Sequence, residues 1–267
     1  MRVSWTSYVT AATVVSLVCW SQQPVETQTA QEAGTVTSPA ASSGPTPRLP
    51  NGKPDLTGIW QRPYVPSVTQ PRDGHKGPSE LPYTPAGLED WWNYDPADGD
   101  YTANCMPFGL PRSINGPWPM RVMHNETHIA FLFELGNWFH IAPVDGSEHP
   151  EELEPTWYGH SVGRWEGDTL IIDTVGFNGW TRLDTRGHPH SDALHLIQTY
   201  ERIDADHINY TITVDDPKTY RAPWTNERVF TPFDGELMEY VCNENNRSLW
   251  EGRLKFWTPP WRDQPPQ

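Results

Sequence analysis

The stretch Ile208-Asn209-Tyr210-Thr211-Ile212-Thr213-Val214-Asp215 alternates without a break. Successive side chains of an extended chain point to opposite sides, so Ile208, Tyr210, Ile212 and Val214 share one face and the polar residues share the other. A strand with one apolar and one polar face belongs to an antiparallel sheet buried on one side. The same period of two, broken by turn residues, predicts strands at Met120–His124, 127–134, 138–142, 158–165, Thr169–Val175, 194–203, 226–232 and 236–242.

The connections between these runs are mostly short. Gly136-Asn137, Glu166-Gly167 and Asp234-Gly235 supply residues that tolerate the positive φ of hairpin turns. About nine strands joined this way predict an all-β fold, an antiparallel up-and-down meander. It is expected to close into a lipocalin-like barrel rather than a two-sheet sandwich, because closure removes the exposed edges. No repeat of the kind that builds a propeller occurs. Ahead of the meander, 62–85 is rich in Pro and Gly and reads as irregular chain wrapping the domain, with a short helix over 85–94 begun by Pro85.

The first 20 residues, with Arg2 followed by an apolar run from Val9 to Trp20, read as an export signal too short to span a bilayer. Residues 21–50 read as a disordered linker and 51–267 as one barrel domain. Cys19 admits a lipid anchor as the less favoured alternative, since Val18 stands where a small residue is wanted. The expected location is periplasmic or extracellular. There the remaining two cysteines, Cys105 and Cys242, form an even pair, and a disulfide between them is worth on the order of 4 kcal/mol through the long loop that it closes. The sequons at Asn125, Asn209 and Asn246 matter only in a glycosylating host.

Lys and Arg number 19 against 34 Asp and Glu, a net charge of -15 that repels phosphate backbones and excludes nucleic acid as the expected partner. The 14 Trp and 10 Tyr fill cores, line apolar pockets or stack on sugars. A small organic molecule is therefore the expected ligand. Phosphate-binding glycine loops, His-Glu-x-x-His and paired Cys-x-x-Cys are all missing from the sequence.

The long connection between the strands Thr169–Val175 and 194–203 carries the densest set of titratable groups: Asp184, Arg186, His188, His190 and Asp192, with His195 at the start of the next strand. Long loops in a scaffold of tight turns are where function concentrates. His188 and His190 are the expected acid–base residues, Asp184 or Asp192 orients a ring, and Arg186 or Arg182 steadies negative charge. A competing reading makes His188 and His190, with His195 or Asp192, ligands of zinc; otherwise no cofactor is called for. The bland alternative has these residues capping turns and pairing on the surface. Tyr200 and Glu201 lie on opposite faces of their strand, so if His195 faces the lumen Glu201 joins it as a second acid–base pair. Trp180 and Trp224 are candidate pocket walls, and His140 and His160, on separate strands, are candidates for a shared lumen.

The run Pro155-Thr156-Trp157-Tyr158-Gly159-His160-Ser161-Val162-Gly163-Arg164-Trp165-Glu166-Gly167-Asp168-Thr169-Leu170, with Gly187-His188-Pro189-His190-Ser191 and Tyr240-Val241-Cys242-Asn243-Glu244-Asn245, resembles a widespread group of exported bacterial proteins that carries no assigned activity. Where that group places a Glu-Arg pair after His195, this chain has Gln198-Thr199, which implies a ligand different from that of the group. The expected function is an exported small-molecule enzyme using histidine-centred acid–base chemistry, a lyase, isomerase, cyclase or hydrolase. The alternatives are a non-catalytic lipocalin-like carrier of an apolar ligand and a carbohydrate-binding protein that presents exposed Trp faces.

Overall fold

In the computed structural model, residues 43–70 and 75–254 are described. Ten strands occur: β1 (Gly58–Gln61), β2 (His75–Lys76), β3 (Met120–His124), β4 (His128–Phe133), β5 (Phe139–Pro143), β6 (His160–Glu166), β7 (Thr169–Val175), β8 (His195–Arg202), β9 (Ile208–Asp215) and β10 (Trp224–Pro232). They pair in the order β5-β4-β3-β1-β10-β9-β8-β7-β6, with β2 beside β10, and every ladder is antiparallel. The result is a nearly closed barrel of up-and-down connectivity, as the alternating pattern predicts.

The place where it fails to close follows from parity. Nine antiparallel neighbours alternate in direction along the path, so β5 and β6, which come together at its ends, run the same way. Parallel neighbours cannot be joined by a hairpin. The connection over 144–159 is accordingly long, and the seam carries a bond from the Gly146 amide to the Gly163 carbonyl at 3.0 Å.

The inward faces are those of the alternating pattern. Leu196, Gln198 and Tyr200 of β8 meet Ile208, Tyr210 and Ile212 of β9, all buried. Aromatic rings fill the interior: Tyr200 lies 5.2 Å from Phe131 and 5.0 Å from Tyr210, and Tyr210 stacks on Phe230 at 4.8 Å. Fully burying a side chain of this kind contributes about 2–3 kcal/mol. With Tyr200 inside, Glu201 is exposed and His195 points outward, so the lumenal His195–Glu201 pair does not form. His140 faces inward but His160 faces outward, so these two do not share a lumen either.

Among the described residues three short α-helices accompany the barrel: α1 (Pro85–Asn93), α2 (Leu110–Asn115) and α3 (Arg247–Trp250). Thr84 caps α1 by accepting the Gly87 amide, with Pro85 in the first turn. The pattern did not predict α2, yet its Leu110 and Ile114 belong to the core. Two buried arginines clasp its end. Arg62 donates to the carbonyls of Ser113 and Ile114 at 2.6 and 2.7 Å, and Arg228 donates to Asn115 Oδ1 at 2.7 Å. The open carbonyls of a helix C-terminus favour cations. Burial still lowers both, Arg62 to about 9 and Arg228 to about 10, and for Arg62 the charge of Arg228 adds to the effect.

Two expectations are corrected. Residues 236–242 form no strand, because the position beside β10 is taken by β1, with Trp60 opposite Pro232. That segment is held by point contacts instead: the Met238 amide on Glu134, Asn137 Nδ2 on the Tyr240 carbonyl, and the Cys105–Cys242 disulfide, with Cα atoms 5.6 Å apart. Asp234-Gly235 is therefore not a hairpin turn, and Gly235 has no positive φ. The linker expected over 21–50 is attached at its described end: the Ser43 amide donates to Asp206, Thr46 to the Arg202 carbonyl, and Arg48 pairs with Asp168. The export signal and Cys19 lie outside the described residues. No helix among the described residues is long and apolar enough to cross a membrane.

Candidate functional site

The connection from β7 to β8 folds back on itself. Arg182 and Pro189 form an isolated bridge, the Leu183 amide donates to the His188 carbonyl at 2.9 Å, and the turn between them closes through the Gly187 amide to the Asp184 carbonyl at 3.1 Å. Gly187 has φ +86° and lies against Tyr94, so the turn needs a residue with neither a Cβ nor a left-handed penalty. Asp184 stabilises the turn from within. Its Oδ1 accepts the amides of Arg186 and His188 at 3.0 and 3.2 Å, and its Oδ2 accepts the Val68 amide at 2.7 Å.

Oδ2 of Asp184 also meets His188 Nδ1 at 2.6 Å. A carboxylate already holding three amide donors is an acceptor, so His188 Nδ1 carries the proton and Nε2 holds the lone pair. That lone pair faces the hydroxyl of Thr69 at 3.5 Å, and Thr69 in turn lies 3.1 Å from Ser67 Oγ. The indole of Trp91, on α1, stacks flat on the imidazole with centroids 4.1 Å apart. A carboxylate, an imidazole and a hydroxyl thus stand in line, with Thr69 half-buried at the outer end.

The other expected site residues have different roles. His190 is wholly buried: its Nδ1 donates to the Ser191 carbonyl at 2.9 Å and its Nε2 accepts the Thr181 hydroxyl at 2.6 Å. Burial lowers its pKa, so it is a neutral, fully bonded part of the loop rather than a proton donor. Asp192 is exposed and pairs with Lys218 at 2.7 Å rather than orienting either imidazole. The Arg186 side chain is exposed, whereas Arg182 is buried in a two-pronged pair with Asp90 at 2.7 and 2.9 Å, its guanidinium 4.2 Å from the Tyr94 ring. Trp180 and Trp224 are buried, Trp224 as part of the core. His140 donates or accepts at Ser161 Oγ, 2.5 Å away, and burial lowers it to about 4.

His195 and His160 belong to a second group on the outer wall, together with Asp173 and His149. The zinc grouping of His188 and His190 with His195 or Asp192 is not assembled, since each sends its polar atoms to a different partner. Among the described residues no three His, Cys, Asp or Glu side chains converge as metal ligands would. A cleft of about 360 Å³ opens beside the loop between α1 and the turn at Lys218-Thr219, bordered by Gly87, Asp90, Asn93 and Ser191.

Sequence reasoning found Asp184 and His188 but missed Thr69, Trp91 and His149. The i,i+4 spacing of Asp184 and His188 is local, whereas Thr69 lies 119 residues from His188 and is brought to it only by the fold. No protein-family model matches the chain, and no curated protein matches it, so neither the motif group nor the lipocalin likeness gains a relative from these comparisons.

Proposed function

We propose that the chain is a small-molecule hydrolase in which Thr69 Oγ1 is the nucleophile, His188 the general base and then acid, and Asp184 the group that orients His188. One observation carries this reading: Asp184 Oδ2, His188 and Thr69 Oγ1 lie in a hydrogen-bonded line, with contacts of 2.6 and 3.5 Å. A hydroxyl within reach of Nε2 suits hydrolysis through a covalent acyl-enzyme, in which the imidazole activates the hydroxyl as nucleophile.

The steps balance without a cofactor. As Thr69 Oγ1 bonds to an ester carbonyl carbon, its proton passes to His188 Nε2. Collapse of the tetrahedral adduct breaks the bond to the leaving alcohol, which takes that proton from His188. Water then attacks the acyl-threonine, with His188 again taking and returning the proton. Asp184, anchored by three backbone amides, stabilises the imidazolium without moving. The exposed Arg186, two residues from each of them, is a candidate for steadying negative charge.

A net charge of -15 disfavours anionic substrates and supports a small, largely uncharged ester or lactone. The Cys105–Cys242 disulfide is compatible with work outside the cytoplasm. The carrier alternative is less well supported, because Tyr200, Tyr210, Phe131 and Phe230 occupy the barrel interior. The test is hydrolysis of a panel of short-chain, uncharged p-nitrophenyl esters by the wild type, His188→Ala and Thr69→Ala. Turnover lost in both variants, with unchanged far-UV circular dichroism, is the expected result; equal rates in all three proteins would refute the reading.

A further inference from the structure

His149, His160, Asp173 and His195 form a line on the outer wall of the barrel, apart from the Thr69–His188–Asp184 group. His160 Nδ1 lies 2.8 Å from His149 Nδ1, His149 Nε2 lies 3.0 Å from Asp173 Oδ1, and Asp173 Oδ2 lies 2.9 Å from His195 Nε2. Strand register sets three of the four. Asp173 pairs with Val162 on β6 and with Ile197 on β8, which puts His160 and His195 on its two diagonals. His149 comes from the long connection at the seam, between β5 and β6.

The protons of this line are constrained. Two Nδ1 atoms 2.8 Å apart can hold only one proton between them. Asp173 stands between two imidazole nitrogens and offers one oxygen to each. As an acceptor, Asp173 takes the Nε2 proton of His149, which leaves His149 Nδ1 as a lone pair aimed at His160. A carboxylate behind the far nitrogen is the arrangement that fixes tautomer and ring direction in metal-bound histidines. In that contact the proton between the two Nδ1 atoms belongs to His160. With its proton on Nε2, His160 offers a second lone pair to the same point.

We propose that His149 and His160 bind one divalent transition-metal ion through their Nδ1 atoms, with Asp173 orienting His149 from behind. The ion takes the place of the single proton that the two rings now share, and the neutral tautomer of His160 changes without any other bond being made or broken. Zinc–nitrogen distances of about 2.0–2.1 Å at a tetrahedral centre require the two nitrogens to part by about half an ångström, a small rotation for half-buried side chains. Two protein ligands leave the other positions to water. Glu148, Glu151, Glu152 and Glu154, all on the same connection, add a field that attracts cations. Bound metal would fasten the 144–159 connection to β6 across the parallel seam.

This goes beyond the hydrolase reading and stands independently of it. The experiment is isothermal titration of the full chain with Zn²⁺ alone at pH 7.5, paired with thermal melts. One ion per chain is expected. Affinity falls at least tenfold in His149→Ala and in His160→Gln, and about 10–100-fold in Asp173→Asn, whose rings remain in place. It is unchanged in His128→Ala, on an exposed histidine of β4. Zn²⁺ raises the melting temperature of the wild type and of His128→Ala but not of the other three. No saturable binding by the wild type, or wild-type affinity retained in both His149→Ala and His160→Gln, overturns the proposal.

Discussion

Asp184 Oδ2 and His188 Nδ1 stand 2.6 Å apart across a four-residue turn, and the same oxygen accepts the Val68 amide from a segment more than a hundred residues earlier. One carboxylate therefore shapes the turn, ties it to the chain that carries Thr69 and fixes the imidazole. Its removal should be costly in stability as well as in activity. Asp184→Asn exchanges an acceptor for a donor among groups that are already donors. We predict a loss of about 2–4 kcal/mol by urea denaturation. His188→Ala, which leaves the amide bonds to Asp184 intact, is expected to lose less than Asp184→Asn.

The pair of Arg182 and Asp90 fastens α1 over the loop with both side chains buried. Arg182→Met strands a carboxylate in the interior and is expected to cost about 3–5 kcal/mol. Adding Asp90→Leu removes the stranded charge, so the double variant should be more stable than Arg182→Met alone. Chemical denaturation of the three proteins checks this, and additive losses would contradict it.

His140 links pH to stability. Its pKa is lowered to about 4 in the folded barrel by burial, against 6.5 when unperturbed. Between those values the unfolded chain binds more protons, so stability falls as the pH drops from about 6.5 towards 4, by about 3 kcal/mol in all for this group. Stability curves of the wild type and His140→Gln should differ in slope across that window and run parallel above pH 7.

Gly187→Ala and Gly146→Ala separate backbone strain from close approach. Both positions have positive φ, +86° and +79°. A Cβ at Gly146 meets nothing within 4 Å, whereas at Gly187 it would stand 2.1 Å from Tyr94 Cδ1. Gly146→Ala should cost about 1–2 kcal/mol, the left-handed penalty alone. Gly187→Ala should cost clearly more and should displace Tyr94 from Arg182, which a crystal structure or a tyrosine fluorescence change would report.

Most of the barrel could be read in the sequence because burial on one face imposes a period of two. Met120–His124, Thr169–Val175 and Ile208–Asp215 have the predicted bounds. The errors fall where a strand is defined by its partners. Gly58–Gln61 is four residues amid Pro and Gly and becomes a strand only by lying between β3 and β10. Residues 236–242 carry an apolar pattern, yet with β1 in that place Met238 and Val241 are left exposed at 67% and 45%. The six residues of α2 are too few for a helical period to show.

The candidate site divides in the same way. Asp184 and His188 are close in sequence and were legible, but the different roles of His188 and His190 were not, because they are set by the partners that the fold brings to each ring: a carboxylate and Thr69 for His188, a backbone carbonyl and Thr181 for His190. Thr69, Trp91 and His149 carry no local signal, since a lone hydroxyl, indole or imidazole gains meaning only from its neighbours in space.

In the proposed hydrolase His188, held by Asp184, takes a proton from the hydroxyl of Thr69. The most direct measurement is the hydrolysis rate of small uncharged p-nitrophenyl esters by Thr69→Ala, Thr69→Ser and His188→Ala beside the wild type. Wild-type turnover above buffer is expected, retained in Thr69→Ser and reduced at least a hundredfold in Thr69→Ala and His188→Ala. Turnover by the wild type no greater than by His188→Ala would contradict it.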